Sequence, residues 1–385
     1  MEKNNILVLG GGIGGLVASN ILADRLKNKA AITLIERKDK FQFPPSYPWL
    51  MLGTRRPEQV QRDLTILKKK DIKVVKDEVI SINIGDKSVG TKTGKFKYDY
   101  LVIALGAEYA PNTIPGFSEH AQHIYDLDSA TRFKKSVEKF EGGTIAIGVS
   151  RTPFKCPAAP FEVALLLEYY YAKKGIRNNM KIEFFTPETI PVPAVGPEIG
   201  NKVLDLLKSR GINYHPKLRL KDVKKNQLSF ENGETMSFDL LFCVPPHVAP
   251  QPAVKAGLTS KENGWIPVNP RTLMTDFEGV YAIGDITSVP TPSGYMPFLP
   301  KAGVFAHGHA EVVANNIAVK VSGKGKIKEW DGNGLCFLEV GGGLSAFLKG
   351  DFLSEPRPSI RFHTPNRIWH AQKVLFEKYW MKHWF

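Results

Sequence analysis

The chain has 385 residues, 43% of them hydrophobic and 23% charged, with 34 glycines and 27 prolines, a balance that fits two or three globular units. A formal net charge of +14 favours anionic partners, such as an acidic membrane surface or a small anionic substrate. No nucleic-acid-binding motif or basic stripe with interleaved aromatics accompanies the charge, so no nucleic acid is expected as a partner. Three cysteines are too few for a disulfide scaffold, no run of about 18 apolar residues would span a bilayer, and glycine-rich sequence begins before a secretory leader could, so no signal peptide is expected.

The opening stretch "ILVLGGGIGGLVASNILADRLKNKAAITLIER" reads as strand, loop, helix, strand. Ile6 to Leu9 form a buried parallel strand, Gly10, Gly12 and Gly15 give G-x-G-x-x-G, Leu16 to Leu26 carry helical periodicity, and Ala31 to Ile35 is a second strand ending at Glu36. Glycines at these positions permit a tight turn and the close approach of a pyrophosphate to a helix N-terminus. Glu36, about twenty positions beyond Gly15, is placed to accept hydrogen bonds from ribose hydroxyls. A purely structural turn is the alternative, but strand, helix and terminal acid all agree on a dinucleotide. Whether it is FAD or NAD is open at this point.

Further along, "GGTIAIGVSRTPFKCPAAPFEVALLLEYYYAKKGIRNNMKIEFFTPE" repeats the pattern, with strands over Thr144–Ile147 and Lys181–Phe185 and a helix over Phe161–Tyr171. The positions after Gly148 read Val149, Ser150, Arg151, Thr152 and Pro153, so the second and third glycines are gone, and Phe185 is followed by Thr186 and Pro187 where an acid would end the strand. Bulky side chains and a proline obstruct a pyrophosphate there. The loop instead carries Cys156 between prolines. Cys243, in the apolar strand "FDLLFCVPPHVAP", reads as a small core residue. Cys336 lies in the glycine-rich "GNGLCFLEVGGGLSAF". The histidines are scattered without metal-ligand spacing, and no metal is expected.

The tail "HTPNRIWHAQKVLFEKYWMKHWF" mixes aromatics with lysines. As a helix it gathers Trp369, Phe376, Tyr379, Trp380 and Trp384 within roughly 140° of arc. That mixture suits an interfacial membrane anchor, with packing on its own protein or a dimer contact as the alternative.

Three segments, in this order and at these separations, resemble the flavoproteins with two dinucleotide-binding domains and a disulfide-reductase-like fold. They are the opening loop, "YDYLVIALGAEYAPNTIPG" (98–116) with Ala104-Leu105-Gly106, and "GVYAIGDITSVP" (279–290), in which a short apolar strand runs into Gly284-Asp285. The resemblance covers residue 1 to about residue 315. It implies an α/β fold of two interleaved Rossmann-like domains, with FAD as cofactor and Asp285 on its ribityl chain. Expected units are residues 1–106 and 247–320 for FAD, 107–246 as a degenerate NAD-like domain, and 321–385 as a membrane-facing segment.

Within that group, "FQFPPSYPWLMLG" (41–53), with Pro45-Ser46 and Pro48-Trp49, is similar to the sulfide:quinone oxidoreductase family. That family takes electrons through a cysteine pair with one member in the degenerate loop, and Cys156 fits that position with Cys336 as its partner. The resemblance implies that sulfide attacks a bridged Cys156–Cys336 pair, leaving a persulfide on one sulfur and a thiolate, assigned to Cys336, that reduces FAD. Electrons then pass to a membrane quinone. It places Gly10, Gly12, Gly15, Glu36, Arg37, Pro45, Ser46, Val79, Ala104, Leu105, Gly106, Gly284, Asp285, Lys301, Ala302 and Gly303 at the cofactor. Lys301 and the helix dipole would stabilise the reduced flavin. By location, Phe337, Phe347, Phe362, Lys373 and Phe376 are quinone-pocket candidates.

No cysteine lies in Gly106–Gly143 or in 41–53, so noncovalent FAD is expected. The other readings are a type II NADH dehydrogenase, which needs an intact second nucleotide loop, and a noncatalytic flavoprotein partner, which leaves the cysteine pair unexplained. The expected setting is peripheral to a membrane, with a homo-oligomer open.

Overall fold

The computed structural model describes residues 3–292 and 294–385. One sheet is five-stranded and parallel. Its centre is the strand Asn4–Leu9, flanked by Ala30–Glu36 and Tyr100–Ile103; Ile72–Lys76 and Val280–Ala282 close the edges. The central strand is apolar on consecutive positions because both of its faces are covered: Ile6, Leu7, Val8 and Leu9 are all at most 2% exposed. The long helix Gly303–Ser322 and the glycine-loop helix Ile13–Leu26 pack together on this sheet. A three-stranded antiparallel ribbon, Val79–Asn83 through Lys95–Lys97, is appended to it.

A second parallel sheet is built from Gly143–Val149, Met180–Phe185, Ile212–His215 and Leu240–Val244. The chain passes between the two sheets twice, at Glu108–Tyr109 and at His247–Val248, and the two crossings pair with each other as an antiparallel bridge. The architecture is mixed α/β, as expected. Two parallel sheets with their carboxyl ends facing a shared cleft are the arrangement in which ligands bind outside the strand ends.

The last segment is a three-stranded antiparallel sheet, Asn333–Gly341, Leu344–Asp351 and Ser359–Asn366, followed by the helix Arg367–His383. No helix among the described residues is long and apolar enough to cross a membrane. The tail helix corrects one expectation. Its aromatic arc is split: Trp380 at 2% and Trp384 at 8% exposure turn inward, Trp380 lying 4.9 Å from Phe41 and 5.1 Å from Phe43. Tyr379 and Phe376 face outward with Ile368 and Leu375. A helix wheel shows which residues share a face but not which of two apolar faces meets the core, and Phe41, Phe43 and Phe385 settle it here.

Candidate active site

The glycine loop has the form a pyrophosphate requires. Gly10 adopts φ +98°, and a Cβ there would strike Ala104 O; a Cβ on Gly15 would strike Gly10 O; a Cβ on Gly12 would meet nothing within 4 Å. Glycine therefore tightens the turn at two positions and leaves open approach at the third. Glu36 stands at the strand end and accepts from Gly11 N–H at 2.6 Å and Lys38 N–H at 2.9 Å. Arg37 lies outside it and pairs with Glu108 at 3.4 Å.

Opposite, Gly284 adopts φ +74° and passes the chain to Asp285. Asp285 Oδ1 is buried with no hydrogen-bond partner, and desolvation raises this carboxyl against the pull of Lys155 and Lys301. An orphaned buried acceptor at this point is what a ribityl hydroxyl would satisfy. Ala104, Leu105 and Gly106 line the same cleft, Gly106 at φ +69° with open space where a Cβ would be. Ala302 and Gly303 start the long helix, so its N-terminus points into the cleft. These residues fit FAD.

Lys301 is buried over the Trp265 ring at 3.4 Å and donates to Asp285 O at 2.6 Å and Thr287 O at 3.2 Å. Burial pushes its ammonium down to about 7. Ser46 donates to Glu377 at 2.5 Å and Val79 sits in the appended ribbon opposite Thr91, while Pro45 is in the short helical turn Pro44–Ser46. The hydroxyl proton of Ser46 is thus committed to the tail helix, which also holds Glu377 against Arg55 at 2.7 Å.

The second glycine loop is closed. The Phe185 ring fills the space against Gly148, where a Cβ would come within 2.0 Å of it. Arg151 folds back onto Ser150 O and Leu220 O. Cys156 follows at φ +54°, donating its N–H to Lys301 O at 2.7 Å, just before the helix Ala159–Lys173. Its side chain reaches the surface, yet surrounding protein desolvates the sulfur. That desolvation and Glu162 push the thiol up to about 12, against Lys373 and the Ala159 N–H. Lys155, whose ammonium lies over the Tyr109 ring at 4.8 Å, does not offset the effect. Beside this loop is a cleft of about 230 Å³ lined by Pro153, Phe154, Pro157, Trp265, Phe298 and Lys301.

Cys336 is brought to the same place from the antiparallel sheet. Burial raises its thiol, and Cys156 is the next largest influence on it. The two thiols, 180 positions apart by residue number, therefore share one electrostatic environment. Cys243 is elsewhere, fully buried in the second parallel sheet with Phe185 and Phe230 in its cluster.

Glu162, Glu339 and His370 were missed by sequence reasoning. Glu162 accepts from Lys373 at 2.7 Å and from Glu339 N–H at 2.9 Å; Glu339 pairs with His370 at 2.9 Å. The ammonium of Lys373 also lies over Trp49 at 4.9 Å. Its pKa is raised, because the two carboxylates outweigh its burial. The signal was present: Glu162 is an acid inside the apolar run "FEVALLLEYYY", and such an acid is buried only with a partner.

The aromatic quinone candidates do not form one wall. Cross-strand pairs share a sheet face, so Cys336, Leu348 and Phe362 lie on one side and Phe337, Phe347 and His363 on the other. Phe347 stacks on Trp369 at 4.7 Å and Phe337 lies 5.1 Å from Phe347. Phe376 is apart, 6.2 Å from Phe43. Among the described residues no cluster of His, Cys, Asp or Glu could hold a metal.

A flavin cleft beside two thiols defines the class, and sequence comparison agrees. Residues 4–310 match the pyridine nucleotide-disulphide oxidoreductase family, and the chain belongs to it; FAD is its cofactor. The chain is similar to the sulfide-quinone reductase of Aquifex aeolicus (strain VF5), 26% identical over 98% of this chain and 90% of that protein. The mitochondrial sulfide:quinone oxidoreductase of Mus musculus is 25% identical over 93% of this chain and 80% of its own length. In fold, the crystal structure of the Aquifex aeolicus sulfide:quinone oxidoreductase superposes with a TM-score of 0.89 at 24% identity, over 99% of this chain and 91% of that one.

Proposed function

We propose that this protein is a sulfide:quinone oxidoreductase, taking electrons from sulfide through Cys156 and Cys336 and delivering them to a membrane quinone. The observation that carries the reading is a second nucleotide loop closed by Phe185 and Arg151 and bearing a thiol coupled to Cys336. A type II NADH dehydrogenase would need that loop open.

The chemistry starts from the bridged pair. Hydrosulfide forms a bond to Cys156 Sγ, the Cys156–Cys336 bond breaks, and its electron pair leaves on Cys336 as a thiolate. The sulfide sulfur is oxidised and remains as a hydropersulfide on Cys156. Because burial holds both thiols up, neither serves as the resting nucleophile; the incoming sulfide does. Lys373, protonated through the working range, faces Cys336 and favours the departing thiolate. When bound, FAD supplies the two-electron acceptor that links this pair to quinone. Gly10, Gly12, Gly15 and Glu36 would hold its adenosine diphosphate half, and Ala104, Leu105, Gly106 and Asp285 the remainder. Glu162, Lys373, Glu339 and His370 form a linked chain able to hold a proton near a quinone carbonyl.

The domain roles follow the sheets, with residues 1–106 and 247–320 holding FAD, 107–246 carrying Cys156, and 321–385 supplying Cys336. We place the protein peripherally on an anionic membrane through Ile368, Leu375, Phe376 and Tyr379, exposed by 37–64%, with Lys378 and Lys382 beside them. Anaerobic addition of sulfide should bleach the flavin while NADH does not; bleaching by NADH alone would overturn the reading. Acid precipitation should release all the FAD, since the described cysteines lie at the two thiol sites and in the core.

A further inference from the structure

Where the chain crosses between its two sheets, four aromatic rings close on one another. Tyr109 and His247 pair across the bridge with ring centroids 5.1 Å apart; Tyr125 lies 5.5 Å from His247, and His123 5.6 Å from Tyr109. The group is fixed by its own bonds. Tyr109 Oη donates to Tyr125 O at 2.6 Å, and Tyr125 N–H donates to His123 Nδ1 at 3.2 Å. His247 Nδ1 sits 2.7 Å from Pro245 O, which only accepts, so this nitrogen carries the proton and Nε2 presents a lone pair.

Two atoms are left over. His247 Nε2 and Tyr125 Oη are buried without hydrogen-bond partners, in residues 8% and 5% exposed. Buried polar atoms are nearly always satisfied, and two orphans on adjoining rings call for a small polar guest. One is an acceptor and the other can donate. A cation completes the set, since Lys155 Nζ lies over the Tyr109 ring at 4.8 Å. The location is beside the reactive sulfur: Lys155 precedes Cys156, and the strongest charge influence on Tyr125 is Cys156.

We infer that Tyr125, His247 and Lys155 form a hydrosulfide-binding subsite that holds the substrate before it attacks Cys156; this rests on the sulfide reading above. Hydrosulfide has one S–H donor and one anionic sulfur. His247 Nε2 takes the S–H, while Tyr125 Oη and the Lys155 ammonium take the sulfur. Burial, with Lys155 and Lys301 nearby, holds His247 down at about 3, so it stays a neutral acceptor at any working pH. The site orients sulfide and does not deprotonate it. Tyr109 and His247 lie in segments quoted from the sequence, but nothing there joins them to His123 and Tyr125, because the four residues meet only at the crossover.

The test is rapid anaerobic mixing of FAD-loaded protein with a series of sulfide concentrations. In Tyr125→Phe, which removes only the hydroxyl, and in His247→Phe, the sulfide concentration for half-maximal bleaching rate should rise about tenfold, the loss of a hydrogen bond to a charged group. The limiting rate should change less, and the flavin spectrum and bleaching by dithionite should stay as in the parent. His247→Gln, which restores an acceptor, should recover much of the loss even if His247→Phe folds poorly. An unchanged half-saturation in Tyr125→Phe would mean the two atoms hold only water, and a shifted flavin spectrum with unchanged sulfide dependence would mean they contact the cofactor; either overturns the subsite. Parent protein that sulfide cannot bleach would instead overturn the functional reading itself.

Discussion

Glu162 and Lys373 stand 211 positions apart in the chain and meet at 2.7 Å, with side chains 5% and 7% exposed. The contact joins the helix that follows Cys156 to the tail helix, and both of its charges act on Cys336. It therefore couples a structural tie to the electrostatics of the reactive thiol.

The losses from removing the two partners should not add. Lys373→Met leaves Glu162 and Glu339 as buried carboxylates without their cation, a loss of about 3–5 kcal/mol. In Glu162→Gln with Lys373→Met, the summed single losses should exceed the double loss by about 1 kcal/mol or more. Urea unfolding at matched FAD loading measures this. Additive losses would show that the two side chains do not stabilise one another.

The Cys156 thiol should be slow to alkylate despite its exposure. Its pKa rises from 9.0 to about 12, so at pH 8 the thiolate fraction is about a thousandfold below that of an ordinary cysteine. Labelling of the reduced protein with iodoacetamide, followed by mass spectrometry, should show little reaction at pH 8 and a steep rise with pH. The folded value lies above the unfolded one, so this thiol's contribution to stability is whole below pH 9 and is lost as pH climbs toward 12. Free-thiol rates at pH 8 would refute the desolvated environment.

Membrane contact and folding should separate on the tail helix. Leu375→Glu and Tyr379→Glu change outward residues at 64% and 61% exposure, and should lower co-sedimentation with anionic vesicles while leaving Tm close to the parent. Trp380→Ala, at 2% exposure, should cost about 3–5 kcal/mol. Deleting the whole tail would confound the two, since it also removes Lys373 and Glu377. Unchanged vesicle binding in both outward variants would assign the stripe to another surface.

The local part of this architecture was legible in the sequence. Gly10, Gly12, Gly15 and Glu36 announce themselves because a phosphate loop is built from neighbouring residues with fixed φ and fixed spacing. Cys156 was legible through what its loop had lost. The rest is set by tertiary register. Whether Phe337 and Phe362 share a face depends on strand pairing, and whether Trp380 points in or out depends on Phe41 and Phe43, more than 300 positions away. Lys373 was found by location, but its partners on a distant helix and strand were not. Adjacency in sequence is likewise no guide to electrostatics: Lys155 adjoins Cys156, yet burial raises the thiol.

The decisive comparison is among the three cysteines. Cys156 and Cys336 share one electrostatic environment, while Cys243 is wholly buried in a different cluster, its sulfur 3.7 Å from Val244 O. Serine keeps the approximate volume at each position but cannot form the sulfur bridge or carry a persulfide. With all variants loaded with FAD to the parent level, Cys156→Ser and Cys336→Ser should lose anaerobic flavin reduction by sulfide by at least about a hundredfold, the order seen when a catalytic group is removed. Cys243→Ser should keep near-parent reduction and lose about 1–3 kcal/mol of stability from burying a hydroxyl among Phe185, Phe230 and their neighbours. Near-parent rates in both Cys156→Ser and Cys336→Ser would end the sulfide mechanism. Loss confined to Cys243→Ser would mean that the reactive sulfur is the one in the core, a result the geometry described here could not accommodate.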